Sequence, residues 1–101
     1  MRGVKPYTYT DAELDALAEE MAQNIERMRD APEADVIAAL IECGMPRRDA
    51  AAQLNGPLGG FARQFYLDYL DAKLGNPTAA ERVERCREAW GAMTRRREAQ
   101  R

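Results

Sequence analysis

Leu14, Leu17, Ala18, Met21, Ile25 and Met28 succeed one another at steps of three and four residues, so a helix through them presents all six on one face. Immediately upstream, Thr10-Asp11-Ala12-Glu13 has capping-box spacing: the Thr10 hydroxyl accepts from the Glu13 amide while the Glu13 carboxylate reaches back to the Thr10 amide. The spacing predicts a first helix over 11–30. Pro32 suits the first turn of a second helix over 32–43, with Glu33 and Asp35 at the positive end of its dipole. Val36, Ile37, Leu40 and Ile41 form its apolar side. Gly44 ends it, and Met45 falls where the apolar contact of a glycine cap is expected.

Pro46 opens a short third helix over 46–55 through Ala50, Ala51, Ala52 and Leu54, closed by Asn55-Gly56. Pro57 and Gly59-Gly60 then make a turn that lets two helices approach closely. The fourth helix, 60–74, is the most apolar. Phe61, Ala62, Phe65, Tyr66, Tyr69 and Ala72 cover one side, and Leu67, Leu70 and Leu74 extend that surface. Only Gln64, Asp68 and Asp71 are left as a polar stripe, so this helix belongs at the centre of a bundle. After Gly75 and Asn76-Pro77, Thr78 and Glu81 offer a second capping box for a fifth helix over 78–97. Val83, Cys86, Trp90 and Met93 give that helix a narrow seam, flanked by Arg82, Glu84, Arg85, Arg87 and Glu88.

Three Val, three Ile and no sustained alternation leave no strand signal. The expected fold is all-α, a small bundle of four to five helices forming a single helical domain over 1–101. Residues 1–9 are an extended N-terminal arm and 95–101 a basic tail. Leu40, Leu54, Phe65 and Leu70 are the expected core. Composition agrees with one core, since 46% of the 101 residues are apolar and 18 of these are Ala. The longest apolar run, Val36 to Ile41, is far short of the roughly 20 residues of a membrane span. No apolar stretch follows Met1-Arg2-Gly3-Val4-Lys5-Pro6, so no secretory signal is expected and the cytoplasm is the expected compartment.

Charge divides the chain. Residues 1–31 carry four basic and seven acidic groups, whereas 78–101 carry seven Arg against four acids; the whole chain is −2. Acidic Glu13, Glu19, Glu20 and Glu26 can therefore face the Arg side chains of the last helix, whose seam suits docking on one other helix: the first, one of a second subunit, or one of a target.

Candidate chemistry is sparse. The absence of His removes the usual general base and the commonest metal ligand, and two Cys cannot complete a zinc site. Cys43 and Cys86 lack a base to activate a thiolate, and the dipole at the end of the second helix disfavours one at Cys43. Carboxylate pairs such as Glu19-Glu20 and Asp68 with Asp71 are expected on solvated faces. Gly56-Pro57-Leu58-Gly59-Gly60 lacks the Lys and spacing of a phosphate loop. No catalytic residue, cofactor or metal is expected, and the chain is not expected to be an enzyme.

The stretch Cys43-Gly44-Met45-Pro46-Arg47-Arg48-Asp49-Ala50-Ala51-Ala52-Gln53-Leu54 resembles, over about 20 residues, the short helix after a glycine in the helix-turn-helix of many bacterial regulators. That resemblance implies DNA binding through the helix that follows. The turn departs from the motif in holding Pro57, Gly59 and Gly60. The next helix presents Phe61, Ala62, Phe65 and Tyr66, with only Arg63, Gln64 and Lys73 able to meet a base or phosphate and with Asp68 and Asp71 opposing one. Nucleic acid is thus the second reading, with Arg82, Arg85, Arg87, Arg95, Arg96 and Arg97 as the basic groups.

The first reading is a non-enzymatic protein–protein interaction module. It would be a small helical regulator, inhibitor or assembly adaptor of the kind phages and other mobile elements carry, by analogy of build alone. The expected partner is another protein or a second copy in a homodimer, with no membrane involved. Tyr7, Tyr9, Phe61, Tyr69, Trp90, Met93, Arg95 and Arg96 are the expected contact residues, because Tyr, Phe, Trp, Met and Arg are enriched at interfaces.

Overall fold

The computed structural model describes residues 9–100. Among them are six helices and no strand: α1 Asp11–Gln23, α2 Ile25–Asp30, α3 Glu33–Glu42, α4 Arg47–Asn55, α5 Gly59–Lys73 and α6 Pro77–Ala99. The fold is all-α. Tyr7 lies outside the described residues.

Local chemistry accounts for most boundaries. The Thr10–Glu13 capping box forms in both directions, at 3.2 Å and 2.9 Å. Gly44 and Gly75 take φ of 111° and 96°, the left-handed region that a side chain opposes. After Gly44 the Met45 amide bonds the Leu40 carbonyl and the Gly44 amide bonds that of Ile41. Asn76 and Gly75 repeat the pattern on Asp71 and Ala72. Both helix ends are therefore Schellman motifs, and Met45 is buried in the core as its position after the glycine predicts.

Three boundaries differ from the sequence pattern. The first expected helix is two, because at Asn24 the backbone leaves α geometry (φ −105°, ψ 15°) and its amide is shared between the Glu20 and Met21 carbonyls. The break rotates α2 so that Met28 is buried while Ile25, expected on the same face, is 52% exposed; Ala18 is exposed too. The second capping box does not form. Pro77, with its preset φ, takes the first helical position, which makes Asn76 the cap: its side chain accepts from the Ala79 amide at 3.1 Å and Thr78 falls inside the helix. Pro32 and Pro46 likewise cap α3 and α4 from one residue outside. The basic segment is no irregular tail either, since Arg95, Arg96 and Arg97 belong to α6.

α5 is central, and α6 packs along it most extensively, with α2, α3 and α4 around the rest. The core joins Val36, Leu40, Leu54, Ala62, Phe65, Cys86 and Trp90. Phe65 and Trp90 meet edge to face, 4.8 Å between ring centroids. The α6 seam of Val83, Cys86, Trp90 and Met93 thus docks on α5 and the α3–α4 core rather than on α1. At Gly59 a Cβ would stand 2.4 Å from the Leu54 carbonyl oxygen, so the close approach of α4 and α5 requires glycine there. Leu40, Leu54 and Phe65 are core as expected, but Leu70 is only half-buried. Burial along its stripe declines from Leu67, buried, through Leu70 to Leu74, 85% exposed, because the cover thins towards the end of α5.

Candidate functional site

Two places combine polar and apolar side chains in a way that simple core packing does not require. One lies under α1. Gln64 and Asp68, expected on a solvated stripe, are 2% and 4% exposed, because α1 and α6 lie over that side of α5. Arg82 of α6 reaches over them, 3.5 Å from Asp68 Oδ1 and donating to Glu20 Oε1 of α1 at 2.9 Å. The Gln64 amide nitrogen donates to Asp68 at 3.2 Å and to Glu20 at 3.5 Å. Burial pushes the Asp68 carboxyl up to about 6, with Arg82 and the Gln64 amide opposing that rise. One turn further along α6, Arg85 bonds Glu13 and also Glu81. These pairs realise the expected match between the acidic first helix and the last.

Tyr9 closes this side. Its hydroxyl stands 3.8 Å from Cys86 Sγ, and its ring lies 5.9 Å from the Arg85 guanidinium carbon. Burial pushes the Tyr9 hydroxyl well above its ordinary range and the Cys86 thiol up to about 12, so neither is poised to ionise. Cys43 is shifted upward by burial as well. Both cysteines are buried and reduced, fitting small apolar core residues. Among the described residues no three His, Cys, Asp or Glu side chains converge as metal ligands would.

The second place is an open groove of about 280 Å³ between α4 and the last turns of α6. Met45, Pro46, Pro57, Leu58, Trp90 and Met93 give it an apolar lining, and Ala52 an exposed edge. Asp49 of α4 and Arg97 of α6 also line it and are joined by an ion pair, their side chains 32% and 56% exposed. Three causes build the groove: the Gly44 cap carries Met45 inward, Gly59 draws the Pro57-Leu58 turn against α4, and the seam turns Trp90 and Met93 towards both.

The expected contact residues therefore separate. Trp90 and Met93 line the groove, and Arg95 and Arg96 are exposed on the same stretch of α6. Tyr9 and Phe61 pack on the core on the α1 side. Tyr69 stands elsewhere, donating to Glu42 of α3 with the Lys73 ammonium 4.4 Å from its ring centroid. Sequence reasoning missed Met45, Leu58 and Asp49 as neighbours of Trp90, since they come from a cap, a turn and a helix start that carry no common spacing. No protein-family model matches this chain, and no curated protein and no solved structure matches it.

Proposed function

We propose that this chain is a non-enzymatic protein-interaction module, a small regulator, inhibitor or assembly adaptor, that takes an apolar-anchored helical segment of another protein into the α4–α6 groove. The groove itself carries the reading. At about 280 Å³ it is at or below the small end of pockets for drug-sized ligands, a fit for a few apolar side chains projecting from a helix. Met45 and Met93 supply adaptable surface and Trp90 a rigid aromatic floor, a combination typical of protein-binding sites. The polar cluster under α1 supplies no activated nucleophile, because Tyr9 and Cys86 are both held protonated by burial.

The burial of α5 supports protein contact over the helix-turn-helix alternative. A recognition helix needs one face free for the major groove. In α5, Ala62, Gln64, Phe65, Leu67 and Asp68 are all buried against neighbouring helices. Action in the cytoplasm belongs to the same proposal, and among the described residues no helix is long and apolar enough to cross a membrane.

Ala52→Arg tests the reading, because Ala52 is exposed on a helix that tolerates Arg well, and the new side chain would fill the groove. Affinity capture from the source cell, with and without nuclease, should give one stoichiometric protein that the variant loses while Trp90 emission stays blue-shifted. An unchanged capture by the variant, or a nuclease-sensitive set of proteins, would overturn the proposal. A wild-type dimer that Ala52→Arg converts to monomer would make a second copy of the chain the occupant instead.

A further inference from the structure

We infer that the segment entering the groove is acidic, and that a carboxylate beside its apolar anchor takes Arg97 from Asp49. This rests on the groove being a docking site and names the chemistry of its occupant. The Arg residues of the chain fall into two sets. Arg82 and Arg85 are committed to Glu20, Asp68, Glu13 and Glu81. Arg47 and Arg48 at the start of α4, and Arg95 and Arg96 near the end of α6, are exposed and have no ion-pair partner among the described residues. Together with Arg97, these five cations flank the groove from both of its helices, opposed locally by Asp49 and Glu98. The excess of three positive charges stands on a chain whose net charge is −2.

Charge complementarity therefore selects an anionic occupant, and the apolar lining selects one that also buries side chains. A nucleic-acid backbone would use the cations but leave Met45, Leu58 and Met93 without a role, so an acidic amphipathic helix fits both features. The Arg97–Asp49 pair marks the point of exchange. It lines the groove, it is exposed enough to be screened, and an exposed pair of this kind is held weakly. An incoming carboxylate can replace Asp49 on the guanidinium without leaving a buried charge unpaired.

The experiment is a displayed library of helical peptides with a fixed apolar anchor at i, i+4 and i+7 and randomised neighbouring positions. It is selected on the wild-type chain and counter-selected on Ala52→Arg. The surviving peptides should be enriched in Asp and Glu beside the anchor. Arg97→Gln should weaken the best acidic peptide by about 3–10-fold, and Asp49→Asn should tighten it by about 2–5-fold, both effects shrinking at high salt. Both substitutions are at exposed or half-exposed positions, and retained Trp90 emission would confirm the fold. Groove-dependent peptides with no acidic bias, or an acidic peptide indifferent to both variants, would overturn the exchange and leave the docking surface standing. No Ala52→Arg-sensitive peptide at all would overturn the docking surface with it. Mixed-sequence duplex DNA bound more tightly than any peptide, by wild type and Ala52→Arg alike, would assign the Arg cluster to nucleic acid.

Discussion

α6 is held on two sides by different physics. Towards α5 it buries Cys86, Ala89 and Trp90, with Phe65 edge-on to the indole, and this contact is the most extensive in the molecule. Towards α1 it offers Arg82 and Arg85, which pair with Glu20, Asp68 and Glu13, while α1 buries a single residue of its thirteen, Leu17. The apolar side supplies the free energy. The ionic side decides where α1 lies, because only one placement of that helix brings Glu13 and Glu20 to two arginines one turn apart. Burial scales with area removed from water, whereas part-exposed ion pairs are screened and contribute little beyond register.

The sharpest way to break this comparison is Phe65→Ala or Trp90→Ala, each expected to cost about 3–5 kcal/mol in denaturant unfolding. Losses below 1 kcal/mol would move the apolar centre elsewhere. Arg82→Gln comes next, at about 2–3 kcal/mol, because it strands the ionised Asp68 carboxylate in an almost closed site. Adding Asp68→Asn should restore most of that loss, and additive behaviour of the two changes would show that Arg82 and Asp68 do not communicate.

The pH profile sharpens the ionic side further. Asp68 has a folded pKa of about 6 against an ordinary 3.8, so its ionisation disfavours the fold. Its contribution to stability declines as pH rises from about 4 to about 6 and is flat above, an amplitude on the order of 1–2 kcal/mol. Glu13 runs the other way. The Thr10 amide and Arg85 hold its carboxyl below the usual range, so its support is present above that range and is lost as pH falls through the lowered value. Stability should therefore peak at mildly acid pH, and Asp68→Asn should remove the decline between about 4 and 6. A wild-type profile flat over that interval would contradict the buried carboxylate. Leu70→Ala, at a half-buried position, should cost about 1 kcal/mol, clearly less than Phe65→Ala. Smallest of all, Glu13→Gln should shift the unfolding midpoint within measurement error at high salt, while hydrogen exchange of α1 quickens.

Helix starts and stops were legible where one residue's covalent character decides them: the Thr10–Glu13 box, Gly44 and Gly75 in left-handed backbone, and Met45 after its glycine. Choices between competing caps were not. Thr78–Glu81 and Asn76–Pro77 are both sound signals four residues apart at most, and only the rigid proline ring ranks them. The break at Asn24 was hidden for a related reason, since Asn is tolerated inside helices as well as at their ends. Half of the groove was visible as the Trp90–Met93 seam, and its other half was scattered over a cap, a turn and the first turn of α4.

The local sequence by itself determined the all-α class, the positions of four of the six helices within a residue or two, and the apolar seam of α6, because these follow from backbone geometry and spacing within one element. Tertiary structure alone decided which face of α5 is inside. That helix is apolar nearly all round, so its Gln64-Asp68 stripe and its Leu70-Leu74 stripe were both open to burial. Arg82 and Glu20, arriving from helices at opposite ends of the chain, made it possible to bury the polar stripe, and the leucines were left towards water. A long-range ion pair can invert the inside and outside of a helix in this way because burying a carboxylate is costly only while it lacks a partner.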